Sequence, residues 1–142
     1  MLRLVTSVDL PVARDLLVAS KLPTDIVDER KGSLWIVEDG ESRAVGGFEF
    51  YGEDALLRSV AVDEKHRKSG IGSRLVDALL VEASSRGVKR VWLLTETAEA
   101  FFSKKGFRKV QRSEITNTAL LASAEFTHLC SVVAVCMVKQ SI

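Results

Sequence analysis

Leu56-Leu57-Arg58-Ser59-Val60-Ala61-Val62-Asp63-Glu64-Lys65-His66-Arg67-Lys68-Ser69-Gly70-Ile71-Gly72-Ser73-Arg74-Leu75 runs from an apolar strand through a basic loop into a glycine-punctuated helix start. Arg67, Gly70 and Gly72 form R-x-x-G-x-G. Glycine has no Cβ, so it tolerates positive φ and lets a ligand come close to the backbone. The first amides of the helix that follows have no partners within it and sit at the positive end of its dipole, so they can hold a pyrophosphate together. Lys65, Arg67 and Lys68 add positive charge nearby. Ile71, Leu75, Val76, Leu79, Leu80 and Ala83 recur at helical spacing, with Arg74, Asp77, Glu82 and Ser85 mainly on the other face, and Gly87 ends the helix as a C′ residue. The stretch reads as a site for a phosphate-bearing ligand.

Other phosphate loops fit less well. A dinucleotide fingerprint needs G-x-G-x-x-G and a P-loop needs G-x-x-x-x-G-K-[ST]; neither string is present. Preceded by Val60-Ala61-Val62-Asp63 and followed by an amphipathic helix, the motif instead resembles the acyl-coenzyme A loop of the GNAT superfamily of N-acetyltransferases.

The rest of the chain is organised around that loop. Residues 2–6 alternate as a short strand. Ser7 or Asp9 can cap a helix through about Ser20, with Pro11 tolerated in its first turn. Thr24 can cap a second short helix before Lys31-Gly32. Leu34 to Glu38 and Ala44 to Tyr51 read as strands joined around Asp39-Gly40, a hairpin signal, and Ala55 to Val62 leads into the loop. Beyond the long helix come a strand from Arg90 to Thr95, a short helix from Ala98 to Lys105 stopped by Gly106, and a strand from Phe107 to Val110. A helix over Asn117 to His128 and a strand from Val132 to Lys139 complete the series. This order is α+β, and it matches the GNAT arrangement: a central, mostly antiparallel mixed sheet of about six to seven strands flanked by about four to five helices. With no internal repeat or linker, residues 1–142 read as a single domain.

Composition agrees. A chain of 142 residues with 46% hydrophobic content can bury one core. Twenty Lys and Arg against 19 Asp and Glu leave a net charge of +1, which gives no support to a nucleic-acid or acidic-membrane partner. No N-terminal stretch has the form of a secretory signal and no apolar run reaches membrane-spanning length, so a cytoplasmic location is expected. Cys130 and Cys136 lack C-x-x-C spacing, and His66 and His128 are isolated, so no metal is expected. Cys136 reads as a buried structural thiol.

A second stretch narrows the resemblance. Leu93-Leu94-Thr95-Glu96-Thr97-Ala98-Glu99-Ala100-Phe101-Phe102-Ser103-Lys104-Lys105-Gly106-Phe107 is similar to the strand-to-helix passage of the GNAT fold. Its Leu-Leu-Thr-x-Thr wording looks like that of N-acetylglutamate synthases and of small arsenic-resistance N-acetyltransferases. Gly47-Phe48-Glu49-Phe50-Tyr51-Gly52, the Leu56 to Val62 strand and Phe126-Thr127-His128-Leu129-Cys130 also resemble the arsenic-resistance subgroup.

The resemblance implies acetyl-CoA as acetyl donor. It has Val60, Ala61 and Val62 offering backbone groups to the pantetheine arm and the thioester carbonyl. Arg67, Lys68, Ser69, Gly70, Ile71, Gly72 and Ser73 hold the pyrophosphate. The acceptor amine attacks the thioester directly, so the protein positions reactants and stabilises a developing oxyanion, while a carboxylate takes the amine proton. Many relatives place a tyrosine where this chain has Phe102, which has no proton to give the departing thiolate. The asparagine that relatives often carry further back is Thr95 here, which keeps a hydroxyl for the cofactor.

Glu49, in a strand that the family sets beside the acceptor, is the candidate base; a solvent-facing strand residue is the equal alternative. Arg58 interrupts an apolar strand, either as a bidentate grip on a substrate carboxylate or as a surface or edge-strand arginine. Trp35, Phe48, Phe50, Phe101 and Phe102 read as core before they read as a stacking platform. Together these imply acetylation of a small amine acceptor, an amino acid or an amino-acid-like toxin such as an organoarsenical or phosphinate analogue of glutamate. A protein N-terminus or lysine as acceptor, and a non-catalytic acetyl-CoA sensor, stay open beside it. The resemblance also raises a homodimer as an expectation.

Overall fold

The computed structural model describes residues 2–22, 24, 33–63, 70–123, 126–127 and 134–140. Its strands are β1 (Leu2–Leu4), β2 (Leu34–Asp39), β3 (Ser42–Tyr51), β4 (Asp54–Val62), β5 (Arg90–Thr95), β6 (Arg108–Val110) and β7 (Val135–Gln140). The described helices are α1 (Leu10–Ala19), α2 (Ile71–Ser85), α3 (Glu99–Lys104) and α4 (Thr118–Leu121). The strands form one seven-stranded sheet in the order β1-β2-β3-β4-β5-β7-β6. β1–β2, β2–β3, β5–β7 and β6–β7 pair antiparallel, whereas β4 and β5 run parallel through Asp54↔Arg90, Ala55↔Val91 and Leu56↔Trp92. The expected α+β mixed sheet is thus observed.

The chain forms two compact units, Met1–Phe48 with Arg58–Leu79 and Glu49–Leu57 with Leu80–Ile142. In the first unit, strand periodicity divides the side chains between two helices. Leu34, Ile36, Val45 and Ala61 share a core cluster with Ala13, Leu16 and Leu17 of α1. Their neighbours in sequence point the other way, and a Cβ added at Gly46 would lie 2.8 Å from Leu79, 3.3 Å from Leu75 and 3.4 Å from Val60. α2 packs against that face, and Trp35 meets Phe48 edge-on with ring centroids 5.9 Å apart. Strands buried on both faces read as continuous apolar runs rather than alternating ones, as β2 and β4 do.

In the second unit Leu56, Trp92, Ile115, Leu120, Cys136 and Val138 form a core cluster, with Tyr51, Leu94 and Val110 packed against it. Phe101, Phe102 and Phe107 make successive edge-on contacts, at 5.0 Å and 5.6 Å between centroids. Cys136 is a free, buried thiol, and burial pushes its pKa up to about 11, out of the reactive range.

Two expectations are met only in part. Of the helix expected over Asn117 to His128, the described residues show α4, a turn at Ser123, and a helical pair at Phe126 and Thr127. Asn117 caps α4 by accepting from Leu120 N at 3.1 Å, and Thr127 N donates to Ser123 O at 3.1 Å. Residues 124, 125 and 128 lie outside the described residues. The first helix opens with a separate 3₁₀ turn at Ser7–Asp9, because the Asp9 carboxylate accepts from Thr6 N at 2.8 Å and from Arg3. The helix expected after Thr24, the start of the last strand at Val132, and His66, His128 and Cys130 lie outside the described residues. Among the described residues no helix is long and apolar enough to cross a membrane.

Candidate active site

In the first unit the features of the expected cofactor segment are carried by β4 and α2. Val60 packs toward Leu75 and Leu79 through the cleft left by Gly46, and Ala61 joins the α1 cluster. Ala61 is buried, whereas Val60 and Val62 are half-buried. Gly70 is exposed, has φ +85°, and a Cβ added there would meet nothing. It is therefore glycine because of conformation and not because of crowding. Gly70 O accepts from Arg74 N at 3.1 Å, so Gly70 caps α2, and Ile71 and Gly72 open its first turn. Ile71, Leu75, Val76, Leu79 and Ala83 are fully buried, which anchors the helix beneath that turn. Arg74 is tied to Asp39 at 3.0 Å. Arg67, Lys68 and Ser69, with Lys65, lie outside the described residues.

Two features of β4 precede that segment. Arg58 is 3% exposed, and β4 lies between β3 and β5, so neither the surface nor the edge-strand reading of it holds. Ser59 has φ +61°, a left-handed conformation that costs a non-glycine residue about 1–2 kcal/mol. Its Oγ is buried with no hydrogen-bond partner. Such strain persists only where surrounding structure imposes it.

In the second unit Glu49 is 3% exposed, which rules out the solvent-facing alternative. It is two residues from Tyr51 on the same face of β3, and the Tyr51 hydroxyl donates to Glu49 Oε1 in a short hydrogen bond. Thr95 ends β5, and its Oγ1 accepts from Ala98 N at 3.0 Å, holding the turn into α3. Its hydroxyl proton is available for a further bond. Phe102 is 6% exposed within the aromatic cluster of Phe101 and Phe107, as the core reading of that residue expects.

The sequence reading missed Asp54. Its carboxylate, 6% exposed, accepts from Arg90 Nε at 2.7 Å, Trp92 Nε1 at 2.8 Å and Asn117 Nδ2 at 3.1 Å. Burial by itself pushes this carboxyl up, but the bonds from Arg90, Trp92 and Asn117 outweigh it and hold the pKa below the ordinary aspartate range. Asn117 Nδ2 also donates to Tyr51 O at 2.9 Å, so the same knot fixes the backbone behind the Tyr51–Glu49 pair. An aspartate after a Gly-Glu turn reads as a surface residue, and its partners come from far along the chain.

Comparison with known proteins agrees with this architecture. A region of 60 residues is 38% identical to an amino-acid acetyltransferase of Mycobacterium tuberculosis, covering 42% of this chain and 34% of that protein. The chain thus spans about a third of the curated relative it matches. Among solved structures, Rv2747 from Mycobacterium tuberculosis in complex with CoA and NLQ superposes with a TM-score of 0.84 at 22% identity, over 100% of this chain and 99% of that one. N-acetylglutamate synthase from Neisseria gonorrhoeae, complexed with coenzyme A and L-arginine, gives 0.82 at 16% identity over 99% of this chain and 32% of that one. At these identities the likeness is one of fold. The family model described as an acetyltransferase (GNAT) domain matches residues 30–109, more than half of the chain, and with the β4-to-α2 segment inside that match the protein belongs to the GNAT acetyltransferase family.

Proposed function

We propose that this protein is an acetyl-CoA-dependent N-acetyltransferase acting on the primary amine of a small amino acid or amino-acid-like acceptor. The observation that carries the reading is the start of α2, where an exposed left-handed Gly70 and the first-turn amides offer the donors a pyrophosphate needs. Family membership, and the CoA present in both solved relatives named above, support CoA as the donor's carrier. Near-complete mutual coverage with Rv2747 supports residues 1–142 as one acetyltransferase domain.

In this reading the neutral acceptor amine attacks the thioester carbonyl carbon, the C–S bond breaks, and CoA and the N-acetylated acceptor leave. Glu49 takes the amine proton, directly or through water, and Arg58 pairs with the acceptor's carboxylate. What supports both roles is the burial of these two charged side chains, each 3% exposed, on strands of the GNAT fold. The relative from Mycobacterium tuberculosis, an amino-acid acetyltransferase, favours an amino acid as acceptor. Organoarsenical and phosphinate analogues of glutamate belong in the same test panel.

One observation favours a second reading. Phe102 is buried where many relatives place a tyrosine, so the group that usually protonates the thiolate is missing, as in a module that binds acetyl-CoA without transfer. Calorimetric titration with acetyl-CoA, followed by a thiol-release assay against amino acids and these analogues, separates the two. Saturable binding with acceptor-dependent thiol release is expected. Binding without release across the panel identifies the sensor, and no binding overturns the reading of the α2 start.

A further inference from the structure

We infer that Tyr51 is a positioning residue for acetyl transfer, acting by holding the Glu49 carboxylate in one orientation. The inference rests on the function proposed above. The chain contains one tyrosine. Its ring packs against the cluster of Leu56, Trp92, Ile115 and Leu120, its carbonyl accepts from Asn117 Nδ2 at 2.9 Å, and its hydroxyl donates to Glu49 Oε1. Asn117 is itself fixed by Asp54 Oδ2 and by capping α4. The phenol is therefore held at its ring, at its backbone and at its hydroxyl.

A buried carboxylate on a strand has several rotamers, and only some present an oxygen to an incoming amine. The Tyr51 bond engages Oε1 and restricts the rotation of the carboxylate, so its orientation toward an acceptor is set before the acceptor arrives. This is preorganisation of a base by a neighbour that does not itself touch the substrate. Hydrogen bonds to charged groups are among the stronger ones in proteins, so losing this one should be visible in turnover.

The test is a double-mutant cycle on the full chain with the acceptor found in the thiol-release panel. Tyr51→Phe is expected to lower kcat about ten- to a hundredfold while leaving the KM for acetyl-CoA nearly unchanged, with the unfolding midpoint lowered by the loss of one buried hydrogen bond. Glu49→Gln is expected to lower kcat further, and adding Tyr51→Phe to it to cost less than about twofold more, because the residue being positioned is already gone. Independent losses in the double variant overturn the inference, as does a Tyr51→Phe enzyme with wild-type kcat.

A second measurement does not depend on activity. Because the chain has one tyrosine, 3-fluorotyrosine labels position 51 alone. Its ¹⁹F resonance is expected to move on Glu49→Gln, and an unmoved resonance overturns the pairing. If the wild-type protein binds acetyl-CoA but acetylates nothing, the function and this inference fall together. An active wild type with an unaffected Tyr51→Phe enzyme removes only the inference.

Discussion

Asn117 donates its side-chain amide to Asp54 Oδ2 at 3.1 Å across a separation of 63 residues, and the same nitrogen reaches Tyr51 O at 2.9 Å. One short side chain thus ties the start of α4 to both sides of the Gly52-Glu53 turn, opposite the Asp54↔Arg90 register pair. Asp54→Ala is expected to destabilise the fold by about 3–5 kcal/mol, because it leaves Arg90 and Trp92 without their shared acceptor. Asn117→Ala, which loses a cap and two hydrogen bonds, should cost about 2 kcal/mol. Urea unfolding monitored by tryptophan fluorescence measures both.

The depressed pKa of Asp54 has a defined sign. A carboxyl whose folded pKa lies below its unfolded value stabilises the fold above the unfolded pKa, and that contribution is lost as pH falls through the folded one. Stability should therefore decline below about pH 4. Asp54→Asn should be less stable at neutral pH and lose less on acidification. Unfolding midpoints at pH 7 and pH 3 test this, and parallel declines in both proteins would assign the acid sensitivity to other carboxylates.

Gly46 is a packing glycine. An alanine there puts its Cβ 2.8 Å from Leu79 Cδ1, and this fully buried leucine has to move. Gly46→Ala should cost about 1–3 kcal/mol. Because Leu75 and Leu79 anchor α2 beneath its first turn, it should also weaken acetyl-CoA binding severalfold. Calorimetry beside denaturant unfolding separates the two effects.

Ser59 bears the backbone strain of β4. Ser59→Gly should raise stability by about 0.5–1 kcal/mol, since glycine accepts φ +61° without a clash, whereas Ser59→Val should lower it by about 2 kcal/mol. Midpoints of urea unfolding decide. A destabilised Ser59→Gly would mean that the buried hydroxyl contributes more than the strain costs.

Gly70 separates conformation from ligand binding. Gly70→Asn, a residue that tolerates the left-handed region, should fold within about 1 kcal/mol of wild type. Its side chain would add bulk at the loop proposed to hold the pyrophosphate and reduce acetyl-CoA affinity about tenfold or more. Equal losses of stability and affinity would make this glycine a structural turn only.

Much of the fold was legible because local physics wrote it. The period of Ile71, Leu75, Val76, Leu79 and Ala83 gave α2, Gly87 its end, and Asp39-Gly40 the hairpin between β2 and β3, with Gly40 at φ +63°. The R-x-x-G-x-G string located the α2 start, because helix-end amides and positive-φ glycines are properties of neighbouring residues. The turn at Ser123 between α4 and the helical pair Phe126 and Thr127 was not legible, since the composition of the segment favours one continuous helix.

What the sequence determined by itself was the order of elements and the family. Only the tertiary structure decided which polar residues are buried and whom they meet. It enclosed Glu49 and Arg58, joined Tyr51 to Glu49, and gathered Arg90, Trp92 and Asn117 on Asp54. A hydrogen bond between residues 36 to 63 positions apart leaves no periodic trace along the chain. It exists only once strand register and helix packing bring donor and acceptor within about 3 Å.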